Sequence, residues 1–130
     1  MTTNAATKIL VADDDLEILA LVARHLSSLP AEIVEASDGE EALRLARREK
    51  PTLVVLDVMM PGMSGWEVCR AIREDASLGG TGVIMLTDIG ERLNEMTSPL
   101  YGADGYLDKP FELDDLTDKV RQVLAGLANT

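Results

Sequence analysis

Asp13, Asp14 and Asp15 stand in a row directly after the apolar run Ile9–Ala12. A fourth aspartate, Asp57, ends the run Leu53–Leu56. Thr87 and Asp88 close a third run, Val83–Leu86, and Asp108, Lys109 and Pro110 follow Gly105–Leu107. Acids, a hydroxyl and a lysine in such places are the parts of a cation and phosphate site. Gathered carboxylates repel: two unit charges ~4 Å apart cost on the order of 4 kcal/mol at an effective dielectric near ~20. A divalent cation removes that cost. Mg²⁺ fits best, because it takes oxygen ligands, uses one or two carboxylates and completes its shell with water and phosphate oxygens. The lysine is then a counter-charge for an arriving phosphoryl group.

Each residue alone has a plainer use. Asp13–Asp15 suit a helix cap. Asp57 suits a polar strand end, Thr87 an ordinary strand position and Lys109 the surface. What favours a site is that all of them fall at one edge of the same expected sheet. The apolar runs read as strands, with Glu32–Ala36 as the second in chain order. Between them lie amphipathic stretches. Leu16–Leu29 carries Ile18, Leu19, Val22, Leu26 and Leu29 at helical spacing. Glu40–Arg48 is a helix that Asp38 and Glu41 can cap, and Ser64 with Glu67 is a capping box opening a helix to about Asp75. Gly79–Gly82 is a loop. Glu91–Met96 reads as helical until Pro99 stops or kinks it. Pro110 starts the last helix, whose apolar face is Leu113, Leu116, Val120, Val123, Leu124 and Leu127. A fivefold strand–helix alternation with long crossovers predicts an α/β fold, a parallel sheet with helices on both faces. Ligands of such sheets sit outside the carboxyl ends of the strands.

Composition narrows the function further. The 130 residues fit one domain, and 46 % apolar residues supply a core. A net charge of −11 repels a duplex phosphate backbone, which argues against direct nucleic-acid binding. The one basic group, Arg44, Arg47, Arg48 and Lys50, lies where cations favour a helix C-terminus. A lone cysteine, Cys69, excludes an intrachain disulfide and reads as core packing. His25 reads as a surface or packing residue. The start, MTTNAATK, has no signal pattern, and no apolar run reaches membrane-spanning length. The expectation is a cytoplasmic, stand-alone monomer with a disordered tail over 1–7 and a domain over 8–128.

The segments ILVADDD, LVVLDVMMPGMSGWEV, VIMLTD and GADGYLDKPF, in that order and spacing, resemble the receiver domain of bacterial response regulators, of the single-domain chemotaxis-regulator kind. The resemblance implies a flavodoxin-like, doubly wound sheet of five parallel strands in the order 2-1-3-4-5. It implies that Asp57 is the nucleophile that becomes a phosphoaspartate, and that the domain catalyses its own phosphorylation and dephosphorylation. Asp13 and Asp14 correspond to the acidic pair, with Asp14 the direct Mg²⁺ ligand of the two; Asp57 and the backbone carbonyl of Met59 complete the metal set. Lys109 pairs with one phosphoryl oxygen and Thr87 hydrogen-bonds another. Tyr106 is the aromatic switch that turns inward when Thr87 moves. The implied donor is a phosphohistidine on a sensor histidine kinase or a histidine phosphotransfer protein, and the output is a switched protein-binding surface.

Two positions depart from the pattern. Asp88 replaces the usual small residue after the threonine; it also has capping-box spacing to Glu91. Pro99 falls where the fourth helix is usually continuous, which predicts a short, kinked or mobile helix. Two rival readings stay open. One is a degenerate receiver that only binds a partner. The other is a phosphatase of the haloacid dehalogenase type, with Asp13-x-Asp15 as its acidic pair. The second leaves the Asp57 motif unexplained and needs a longer chain.

Overall fold

The computed structural model describes residues 7–87 and 102–128. Five strands, β1 (Lys8–Ala12), β2 (Glu32–Ala36), β3 (Leu53–Asp57), β4 (Gly82–Thr87) and β5 (Gly105–Asp108), form one parallel sheet in the order β2-β1-β3-β4-β5. Four α-helices are described: α1 (Leu16–Leu26), α2 (Gly39–Glu49), α3 (Gly65–Glu74) and α4 (Leu113–Ala128). A short 3₁₀ turn, Ala76–Leu78, follows α3.

Side chains alternate across a strand, so each central strand feeds two cores. Leu10, Ala12, Val54, Leu56, Val83 and Met85 face α2 and α3 and meet Ala42, Leu43, Ala46, Val68, Cys69 and Ile72. Ile9, Val11, Leu53, Val55, Ile84 and Leu86 face the other way, onto Leu19, Val22 and Leu26 of α1 and Leu116, Val120 and Val123 of α4. Every residue of β3 and β4 is buried. That is why both read as unbroken apolar runs instead of alternating ones. Cys69 is part of this core, and burial pushes its thiol up to about 11, so it is inert.

The caps follow local chemistry. Asp15 accepts from the backbone N–H of Glu17 (3.0 Å) and Ile18 (3.3 Å) at the start of α1. Asp38 accepts from Glu41 N–H at 2.8 Å, and the Glu41 carboxylate turns back to Ser37, one residue before the cap (2.7 Å). Ser64 and Glu67 form the expected reciprocal box on α3. Arg47 and Arg48 lie in the last turn of α2, and Arg47 reaches Asp75 at 3.2 Å. His25 sits 3.6 Å from Asp114, joining α1 to α4.

Gly82, expected in the loop, begins β4, and two expected boundaries move by three residues. Helix α1 ends at Leu26, not Leu29: the hydroxyls of Ser27 and Ser28 bond the carbonyls of Arg24 and His25 (2.6 and 2.9 Å), competing with further helix. Pro110 does not start the last helix, which begins at Leu113. Residues 110–112 instead carry the chain from the sheet rim to the α1 side, where Phe111 and Leu113 pack on that core. The expected helix before Pro99, the Asp88–Glu91 cap and the tail up to residue 6 lie outside the described residues.

Far from the rim of aspartates, Arg73 of α3 ties down the entry to β5. Its guanidinium donates to Gly102 O (2.7 Å), Thr81 O (2.5 Å) and Asp104 Oδ2 (2.8 Å). Asp104 Oδ2 also accepts from Val83 N–H at 2.8 Å. Gly102 has φ +77, and a Cβ there would stand 2.8 Å from the Arg73 side chain. Arg73→Ala is expected to lower the unfolding free energy by about 2 kcal/mol, with Arg73→Lys recovering less than half because an ammonium lacks the planar fork. Urea denaturation measures both; an unchanged midpoint for Arg73→Ala would show that the clamp contributes nothing.

Candidate functional site

The carboxyl ends of β1, β3, β4 and β5 bring the sequence-singled residues to one rim. Asp57 is the last residue of β3 and is 5 % exposed. Its position is set by the buried strand before it and by the turn after it. Val58 N–H donates to Leu86 O at 3.1 Å, and Gly65 N–H donates to Val58 O at 2.9 Å. A Cβ on Gly65 would overlap the Asp57 carbonyl oxygen and meet Met85 Cε at 2.9 Å. Only glycine lets α3 begin this close to Asp57. Gly62, with φ +79, supplies the bend between them.

Asp13 follows β1 and is 1 % exposed. Its Oδ1 accepts from Asp15 N–H at 2.9 Å, while its buried Oδ2 has no hydrogen bond. Asp14 is exposed. Carboxylate oxygens of Asp13, Asp14 and Asp57 lie within 4.8 Å of one another, close enough to share one cation. Lys109 arrives from the turn after β5. Its Nζ is 2.9 Å from Asp57 Oδ1 and 3.6 Å from Asp13 Oδ2. Burial raises the Asp57 carboxyl to about 6, Lys109 opposes the rise, and Asp13 and Asp14 add to it.

Thr87 ends β4 and is 2 % exposed. Its hydroxyl donates to Asp108 Oδ1 at 2.8 Å, and its carbonyl accepts from Lys109 N–H at 2.6 Å. Asp108 lay on the expected rim without a role; the register that sets Thr87 beside Asp108 gives it one. Met59 stands in the turn after β3 with its side chain 58 % exposed. Tyr106 is half-buried on β5, on the α3 side of the sheet, with its ring centroid 6.0 Å from that of Trp66.

The donor set is all oxygen, with two carboxylates nearly dry and one wet. A buried carboxylate oxygen that lacks a hydrogen bond calls for a positive partner. Those features fit a small hard cation such as Mg²⁺. Among the described residues, no helix is long and apolar enough to cross a membrane.

Both the sequence and the fold have relatives among known proteins. Residues 9–121 match the model of the response regulator receiver domain. A probable transcriptional regulator ycf27 of Porphyra purpurea is 42 % identical over 121 residues, covering 93 % of this chain and 49 % of that protein. The alkaline phosphatase synthesis transcriptional regulatory protein PhoP of Bacillus subtilis is 39 % identical over 117 residues, covering 90 % of this chain and 48 % of its own. The chain thus spans about half the length of the curated relatives it matches. Among solved structures, the chemotaxis protein CheY4 of Vibrio cholerae superposes with a TM-score of 0.84 at 32 % identity, covering 92 % of this chain and 99 % of that one. A CheY-like receiver domain protein of Methanospirillum hungatei gives 0.88 at 28 %, covering 96 % and 98 %. With its sheet order, its rim of aspartates and its lysine after β5, the chain belongs to the response regulator receiver domain family.

Proposed function

We propose that this receiver accepts a phosphoryl group on Asp57 from a phosphohistidine of a partner histidine kinase or phosphotransfer protein, with Mg²⁺ as cofactor. The observation that carries the reading is the cluster of Asp13, Asp14, Asp57 and Lys109, in which Asp13 Oδ2 is buried without a hydrogen bond. Asp13, Asp14, Asp57 and the carbonyl of Met59 would hold the ion. When bound, it supplies charge neutralisation for the incoming phosphoryl oxygens.

The chain's own residues do the rest. A carboxylate oxygen of Asp57 attacks phosphorus in line. The P–N bond of the donor breaks, and the histidine nitrogen leaves with the electron pair. Such a transfer asks for positioning and charge stabilisation more than for covalent help. The buried strand and the Gly65 contact fix the nucleophile. Lys109 stays beside it as the counter-charge. The Thr87 hydroxyl leaves Asp108 for a phosphoryl oxygen, and Tyr106 follows, changing the surface around β5. Relatives named as transcriptional regulators support an output in gene control. At net charge −11 the receiver itself repels DNA. We therefore assign any nucleic-acid contact to a partner or to a separate segment.

The metal-free site has a sign that can be checked. Asp57 moves from 3.8 up to about 6 in the fold, so the folded state holds that proton more tightly than the unfolded chain. Stability of the metal-free protein therefore falls as pH rises from 3.8 through about 6. Asp57→Asn cannot ionise. It is expected to be more stable than the parent at neutral pH, by on the order of 1 kcal/mol after allowing for solvent at the mouth. The advantage should vanish below pH 4 and shrink when Mg²⁺ is added to the parent. Thermal melts across pH with chelator present test this, and a destabilised Asp57→Asn at pH 7 would contradict it.

The function itself is tested by intact mass after incubation with acetyl phosphate and Mg²⁺. The expected result is one added phosphoryl group, absent from Asp57→Asn and absent with chelator. Label that survives Asp57→Asn but is lost with Asp13→Asn would transfer the nucleophile to Asp13, the phosphatase arrangement. An unlabelled parent protein would leave a receiver that only binds.

A further inference from the structure

Gly39, the first residue of α2, is buried against the turn that leads from Asp57 to α3. A Cβ built on it would overlap the carbonyl oxygen of Met63 and stand 2.7 Å from Met63 Cβ. The next residue, Glu40, lies beside the same turn: its carboxyl carbon is 3.8 Å from where a Cβ on Gly62 would be. The first turn of α2 is thus seated on residues 62 and 63 with no space between.

Neither side of this contact can retreat without disturbing the site. On the turn's side, Val58 is bonded to Leu86 and Gly65 to Val58, and Ser64 is locked in its capping box. Met63 is tied down on the α3 side by the Ser64 box, and on its other side Gly62 and Pro61 connect it to Met60 and Met59. On the α2 side, Asp13 N–H donates to Ala36 O at 3.2 Å, and Ser37, Asp38 and Glu41 hold one another. A push in that direction reaches Asp13. Glycine at position 39 carries no positive backbone φ, so backbone conformation alone does not call for it. The steric contact is what requires glycine.

We infer that Gly39 is a positioning residue for the metal site, acting through the Met59–Met63 turn and through the strand end beside Asp13. The inference rests on the proposed Mg²⁺ reading. Displacement on the order of an ångström is enough to cost a site much of its function. Removal of Gly39 should therefore weaken Mg²⁺ binding out of proportion to its effect on folding.

The test is the Mg²⁺ dissociation constant by calorimetry, beside the melting temperature, for the parent, Gly39→Ala and Gly82→Ala. Gly82 is the control. It starts β4 at the opposite end of the sheet, where an added Cβ would meet Leu53, Val123 and Leu127 side chains at 3.0 Å. Gly39→Ala is expected to weaken Mg²⁺ binding by about tenfold or more. Gly82→Ala should lower the melting temperature but leave Mg²⁺ affinity at the parent value. Should Gly39→Ala fail to fold, Met63→Gly takes its place: it removes the Cβ that faces position 39 and so unloads the same seat from the turn's side. Unchanged Mg²⁺ affinity in the folded variant, or equal weakening in Gly82→Ala, overturns the assignment. A parent that binds no Mg²⁺ at all would instead overturn the metal reading on which it stands.

Discussion

Like charges brought together at the edge of a dry core govern this molecule. Asp13 and Asp57 are almost wholly buried, and Asp14 stands beside them. Left alone, such a group is unfavourable, because desolvation and mutual repulsion act in the same direction. Lys109 offsets part of the cost by lying between Asp57 and Asp13. It does not offset all of it, since the Asp57 carboxyl still sits at about 6. The fold therefore keeps an excess of negative charge in a fixed place, which suits a divalent cation.

Holding such a cluster takes a rigid frame, and the sheet provides it. β3 and β4 are buried on both faces, so Asp57 and Thr87 are delivered by strands that have little freedom to slide. The turn after Asp57 is held equally closely. Gly65 lets α3 begin against the Asp57 carbonyl, and the Ser64 box stops that helix from unwinding toward the site. Arg73 secures the far end of the same layer by bonding the entry to β5. Tyr106 thus sits on a strand anchored at its amino end, and Lys109 directly follows its carboxyl end.

What the sequence revealed was local or strongly patterned. Leu-Val-Val-Leu ending in Asp57 could be read because a doubly buried strand has no polar positions to blur it. The Ser64–Glu67 box and the Asp15 cap could be read because their partners are two or three residues away. The parallel sheet followed from the alternation of elements, and its strand order followed from the family likeness. Contacts set by register across long separations stayed hidden. Thr87 meets Asp108 across 21 residues only because β4 and β5 align them. Gly39 and Met63 touch only because α2 and the turn after β3 pack side by side. Pro110 misled because proline favours a first helical turn, whereas packing of Phe111 and Leu113 on the α1 side delays the helix to Leu113.

The Thr87–Asp108 bond adds a term to the proposed switch. A hydroxyl has a single proton to donate, and here Asp108 holds it. In the proposed phosphorylated state, a phosphoryl oxygen on Asp57 would have to outcompete that carboxylate, and both acceptors are charged. Two charged acceptors competing for one hydroxyl would make a two-state element that a change in charge can bias. The neighbouring backbone is already committed, since Lys109 N–H donates to Thr87 O. Movement of the hydroxyl would thereby be confined to the side chain, with the lysine left in place beside Asp57. Tyr106, two residues before Asp108 on the same strand and packed near Trp66, shares with Asp108 the face of β5 on which such a change would be felt.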